Sequence, residues 1–148
     1  MKKILIILTM ICALFVMSAC GNKEVLSDSK MVTKLKEEGF NVNDITDAME
    51  DSSIKVVRTA NNRKYQFEYY IFKSEETAKN AYENNSDLFK QNEEFKGTEK
   101  HGDNYDEYVQ QTDDYYNKVV RVDATLVYVS VNVDYKSDVN KVLNKLGF

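Results

Sequence analysis

Catalysis needs several reactive side chains in one place, and this chain offers few. His101 is its only histidine, set in "HGDNYDE" among glycine and polar residues. To act as a general base or a metal ligand it needs an orienting carboxylate or further ligands. Asp103 stands close by, but carboxylates are common in a chain that is 30% charged, so we read His101 as a solvated loop histidine. The carboxylates of "HGDNYDE" and "QTDDYY" crowd together only if the strand between them begins and ends beside loops. Their spacing does not match the D-x-N-x-D array that surrounds calcium with about six to eight oxygens. Serine-nucleophile patterns such as G-x-S-x-G and S-x-x-K are absent, as are the glycine patterns that cradle phosphates and dinucleotides. The expectation is a non-enzyme with no catalytic residues, no metal site and no cofactor.

One cysteine does have a reactive context. Met1, Lys2 and Lys3 make a basic start, and Ile4 to Met17 then carry no charge. That run has the length of a signal-peptide core and falls short of the roughly 20 apolar residues of a spanning helix. Ser18 and Ala19 follow, then Cys20 and Gly21. Met17-Ser18-Ala19-Cys20 resembles the lipobox of a bacterial lipoprotein signal peptide, with Met17 in place of the usual leucine. The resemblance implies transfer of a diacylglyceryl group to the Cys20 thiol, cleavage before Cys20, and sometimes acylation of the new amino group. Each buried methylene of such an anchor contributes ~0.8 kcal/mol, so two chains hold durably where one holds marginally. Of the two cysteines, Cys12 lies in the segment to be removed and Cys20 takes the lipid. No disulfide, thiol nucleophile or thiolate metal site then remains.

Removing residues 1–19 takes away Lys2 and Lys3 and leaves 18 basic against 24 acidic residues, a net charge of −6. That balance argues against nucleic acid, where phosphate neutralisation dominates affinity, and against docking on anionic lipid through a basic face. The expected location is the cell membrane, lipid-anchored and facing the extracellular side. Residues 20–26 read as the lipidated cysteine and a short tether, at most ~20 Å when extended. Residues 27–148 are long enough for one domain with its own core.

The elements that must position any site follow from periodicity. "LSDSKMVTKLKEEGF" reads as a helix capped at Ser27 or Ser29, with Met31, Val32 and Leu35 inward and Gly39-Phe40 as its stop. "NVNDITDAME" reads as a short helix. "SIKVVRTA" and "KYQFEYYIFK" alternate as strands around a tight Asn61-Asn62 turn. A two-residue loop pairs Val56 with Phe67, Ile54 with Tyr69, Arg58 with Tyr65 and, on the other side, Lys55 with Glu68. Ser74 caps a helix with Ala78, Ala81, Tyr82, Leu88 and Phe89 buried. Residues 92–104, "NEEFKGTEKHGDN", read as the longest loop. Three strands follow, at 105–112, 116–123 and 126–133, then a helix over Lys136–Leu146 ended by Gly147-Phe148. The order α-α-β-β-α-β-β-β-α predicts a single α+β domain, an antiparallel sheet of about five strands with helices packed on it. This layout, "ATLVYV" and "VLNKLGF" resemble an uncharacterised group of small lipoproteins from anaerobic Gram-positive bacteria, which implies the class and no mechanism.

The chain has ten tyrosines. Alternation puts Tyr65 and Tyr69 on the core face and Tyr70 and Phe72 on the other. If helices cover only one side of the sheet, Val57, Tyr70, Phe72, Val119 and Tyr128 line an exposed aromatic strip. Such a strip suits an envelope protein, peptide or glycan ligand. The function expected is a non-catalytic binding or accessory role. Two alternatives are a structural or immunity-type component whose only ligand is another protein, and an enzyme with an unrecognised carboxylate site.

Overall fold

The computed structural model describes residues 21–148. The expected signal peptide of residues 1–19 and the expected lipid attachment at Cys20 lie outside the described residues. The elements are α1 (Asp28–Glu37), β1 (Asn41–Asp44), β2 (Ile54–Asn61), β3 (Gln66–Phe72), α2 (Glu75–Lys90), β4 (Thr98–His101), β5 (Tyr105–Gln111), β6 (Tyr115–Val122), β7 (Thr125–Asn132) and α3 (Lys136–Leu146). The seven strands form one antiparallel sheet in the order β1-β2-β3-β7-β6-β5-β4.

The α+β class stands, but the expected five strands are seven. Both extra strands lie at the sheet edges, where backbone pairing holds a strand that has little apolar face to signal it. Asn41–Asp44, read as the start of a helix, pairs with β2 instead. Only the turn after it is helical, a short 3₁₀ segment at Thr46–Ala48. The Asp44 carboxylate accepts from both the amide and the hydroxyl of Thr46, a local bond that competes with a longer helix. At the far edge, Thr98–His101 falls in the stretch read as loop, and all four residues are exposed.

Helices cover both faces of the sheet. Met31 and Leu35 of α1 and Val139, Val142, Leu143 and Leu146 of α3 pack on one side with Phe67, Tyr69, Val127 and Val129. Ala78, Tyr82 and Phe89 of α2 pack on the other with Phe72, Tyr108, Val119 and Leu126. Ser74 caps α2 as expected, accepting from the Thr77 amide. Ser86 is buried in the α2 stripe, while Leu88, placed there by the sequence pattern, is 60% exposed.

The β2–β3 hairpin keeps its faces and changes its register. Its loop spans residues 62–65, held by Asn61 and Asn62 side chains that accept from the amides of Arg63, Lys64 and Tyr65. Ala60 therefore faces Phe67, Arg58 faces Tyr69 and Thr59 faces Glu68. The slip is an even number of residues, so Phe67 and Tyr69 still point to the core. A bulge between Ile54 and Val56 carries Ile54 across to Phe72.

Arg58 draws the neighbouring elements together. Its guanidinium donates to Asp28 of α1 through two nitrogens, at 3.2 and 2.8 Å, and pairs with Asp44 of β1 at 2.8 Å. The hydrogen bond from Arg58 outweighs partial burial and holds the Asp28 carboxyl below its ordinary value.

Both Gly-Phe stops form as read. Gly39 and Gly147 take φ of +85° and +100°, and Phe40 and Phe148 donate back to Leu35 and Leu143 at 2.9 and 3.1 Å. Lys23 and Leu26, in the stretch expected to be a tether, are docked on the domain. The Lys23 amide donates to Asn104 Oδ1 at 2.9 Å, Asn104 Nδ2 returns a bond to the Lys23 carbonyl at 2.8 Å, and the Leu26 amide donates to Leu146 at 2.9 Å. A Cβ on Gly147 would stand 2.1 Å from the Glu24 carbonyl oxygen. Gly147→Ala should cost about 1–3 kcal/mol in backbone strain alone, with the Glu24 clash added, as read by denaturant unfolding. Stability equal to the parent would mean that residues 24–25 do not rest there.

Candidate functional site

The residues expected to form an exposed strip do share one face. Val57 lies opposite Tyr70, and Val119 opposite Tyr128. That face is the one α2 covers. Val57, Phe72 and Val119 are buried, and Tyr70 and Tyr128 are half-buried. Phe89 of α2 stacks on Tyr128 with ring centroids 5.4 Å apart, Tyr70 stacks on Phe72 at 6.2 Å, and the Tyr70 hydroxyl donates to Glu68. Phe72 and Val119 belong to a second core layer, and Tyr70 and Tyr128 pack against it.

Between α2 and the β4 edge of the sheet lies a cleft of about 340 Å³. Its walls are Lys79, Tyr82, Glu83, Ser86, Asp87 and Lys90 from α2, Glu99 and His101 from β4, and Asp106 from β5. His101 is thus at the end of a strand. It lies opposite Asp106 in the pairing, and its Nδ1 is 2.8 Å from Asp106 Oδ1. The other carboxylate oxygen accepts from Arg121 Nε at 2.6 Å. Burial works to raise the Asp106 pKa, and the bonds from His101 and Arg121 outweigh it, keeping the carboxyl below its ordinary value. A carboxylate at Asp106 only accepts, so Nδ1 is the donor, and a ring protonated at Nδ1 alone carries a lone pair on Nε2. Glu99 Oε2 is 3.9 Å from Nε2, beyond a hydrogen bond. Lys90 closes the other wall, 3.3 Å from Asp87 and 2.6 Å from Glu99.

Tyr82 is the odd member. It is 4% exposed, and its hydroxyl has no hydrogen-bond partner among the described residues. Burial, then the nearby Glu99 and Asp106 carboxylates, push its pKa up, so it stays a donor. Leaving such a group unpaired costs about 1–3 kcal/mol.

Two other polar groupings are satisfied within themselves. A wider cleft of about 490 Å³ beside Thr112–Tyr115 reaches Asn117 and Ser130. Ser130 donates to Asn117, Asn117 to Gln110, and Gln110 to the Phe89 and Phe95 carbonyls. On the α3 side of the sheet, Lys118 is 6% exposed. Its Nζ lies 3.1 Å from Glu107 Oε2 and donates to Asn140 Oδ1 at 3.2 Å. Lys23 and Lys100 each stand 3.6 Å from the same Glu107 carboxylate. Burial lowers the Lys118 pKa against the pull of Glu107. Sequence reasoning missed this pair, because a charged residue in an alternating strand reads as a solvated position.

Among the described residues, no group of three or more histidine, cysteine or acidic side chains could hold a metal ion, and no helix is long and apolar enough to cross a membrane. Comparison with known proteins finds no family model, no curated protein and no solved structure that matches the chain.

Proposed function

We propose that the chain is a lipid-anchored cell-envelope protein, held by diacylglyceryl on Cys20 with its domain on the extracellular side, and that it acts by binding and not by catalysis. The observation that carries this reading is the lipobox-like Met17-Ser18-Ala19-Cys20 behind a short apolar run, and the docked segment after Cys20 sets how close the domain would sit. Lys23 is bonded to Asn104 in both directions, and its ammonium lies over the Tyr105 ring, 4.7 Å from the centroid, and beside Glu107. Only Gly21 and Asn22 separate it from Cys20, a span of about 10 Å when extended. An anchor on Cys20 therefore keeps the domain against the bilayer without a long stalk. Net charge of −6 leaves the lipid, not a basic surface, to supply the attachment, and argues against nucleic acid as a partner.

Binding rather than turnover is supported by the chemistry of the cleft. His101 and Asp106 are arranged as a base and its orienting carboxylate, but the Ser86 hydroxyl is already donated to the Glu83 carbonyl at 3.0 Å. The pair has no serine to activate. Cys20→Ala should abolish lipid labelling and move the protein out of the detergent phase. Membrane retention equal to the parent would sink the anchor.

A further inference from the structure

We infer that the cleft between α2 and β4 binds a neutral saccharide, with Tyr82 as the hydrogen-bond donor and His101 Nε2 and the Glu99 and Glu83 carboxylates as acceptors. The inference rests on the reading of this domain as a binding protein and gives that reading a ligand class. Its starting point is the unpartnered Tyr82 hydroxyl, buried in the wall of a cleft whose other polar groups are largely committed. Lys90 is paired with Asp87 and Glu99, and Asp106 with Arg121. Neither of these pairings needs a charged ligand to complete it. The cleft lining holds the carboxylates Glu83, Asp87, Glu99 and Asp106 against Lys79 and Lys90, so an anion is disfavoured.

What the walls leave open is hydrogen-bonding capacity of one pattern. Each carboxylate has about four lone-pair sites, more than its present partners fill, and a His101 ring protonated at Nδ1 alone adds the Nε2 lone pair. Against these acceptors stand the Tyr82 O–H and the ammonium of Lys79, Lys90 being already paired. The complement is a ligand with several donors and at least one acceptor, which adjacent hydroxyl groups on one ring provide. An ammonium ion supplies no acceptor for Tyr82. A single amide supplies one donor to a wall of several acceptors. Bonds from hydroxyls to ionised carboxylates are also stronger than neutral ones. A volume of about 340 Å³ is at the small end of ligand clefts and suits one ring or a chain end.

The test uses the only histidine of the chain, whose ring nitrogen signals need no assignment. The full chain in detergent, labelled with ¹⁵N, is titrated at fixed pH with glucose, with N-acetylglucosamine and with inorganic phosphate. Either sugar should move the His101 ring signals saturably, and phosphate should not. Tyr82→Phe should weaken the sugar by about tenfold while melting no lower than the parent, since it removes an unpaired hydroxyl. If Tyr82→Phe fails to fold, Glu99→Gln on the exposed β4 strand should give a similar loss. Signals unmoved by both sugars, an equal response to phosphate, or undiminished binding by the folded variant would each overturn the inference. A lipidated chain blind to sugar removes this inference alone, and a sugar-binding chain without lipid removes only the anchor.

Discussion

Glu107→Ala should destabilise the domain by about 3–5 kcal/mol, because it leaves the Lys118 ammonium buried without its carboxylate. The pair sits between β5, β6 and α3, where Asn140 alone would remain beside Nζ. Denaturant unfolding reads the loss directly. Glu107→Ala combined with Lys118→Met should recover most of it, since an apolar replacement of a buried ion pair is often neutral or stabilising. A single variant within about 1 kcal/mol of the parent would mean that Lys118 reaches water and that the α3 face is looser than described.

Phe72→Ala should cost a similar amount, about 3–5 kcal/mol, as large-to-small changes in a packed core do. Phe72 is 6% exposed, packed in the α2 layer and stacked on Tyr70. Leu88→Ala, on the solvent side of the same helix, should stay within about 0.5 kcal/mol. Equal tolerance of both would restore the open aromatic strip and remove α2 from the sheet.

These two positions mark where the sequence was legible and where it was not. The last helix was readable to its ends, because Val139, Val142, Leu143 and Leu146 recur at helical spacing and Gly147 stops the run. Val127, Val129 and Val131 announced β7 in the same way. The faces of β3 were readable too, since alternation survives an even slip, but the hairpin register was not. It depended on Asn61 and Asn62 side chains shaping a longer loop. β1 and β4 escaped because an edge strand needs only backbone pairing. Thr98–His101 shows no buried residue at all.

The candidate site was hidden for a related reason. His101 and Asp106 lie five positions apart across the turn of an unrecognised hairpin, so sequence proximity favoured Asp103. Tyr82 was assigned to the α2 stripe by its spacing, and it is there. Nothing in spacing tells whether a buried hydroxyl finds a partner. Likewise, one helix on the second face of the sheet turns Phe72 and Val119 from surface into core and half-buries Tyr128, and periodicity along a strand cannot say how many layers cover it.

The anchor is tested most directly by its own peptide. Trypsin cuts after Lys23, so the mature chain, isolated from membranes of its native host, should yield Cys20-Gly21-Asn22-Lys23 as its N-terminal fragment. Mass spectrometry should find that fragment with diacylglyceryl on Cys20, and no fragment from residues 4–19. An N-terminal peptide that retains those residues, or a Cys20 thiol without lipid, would contradict the account.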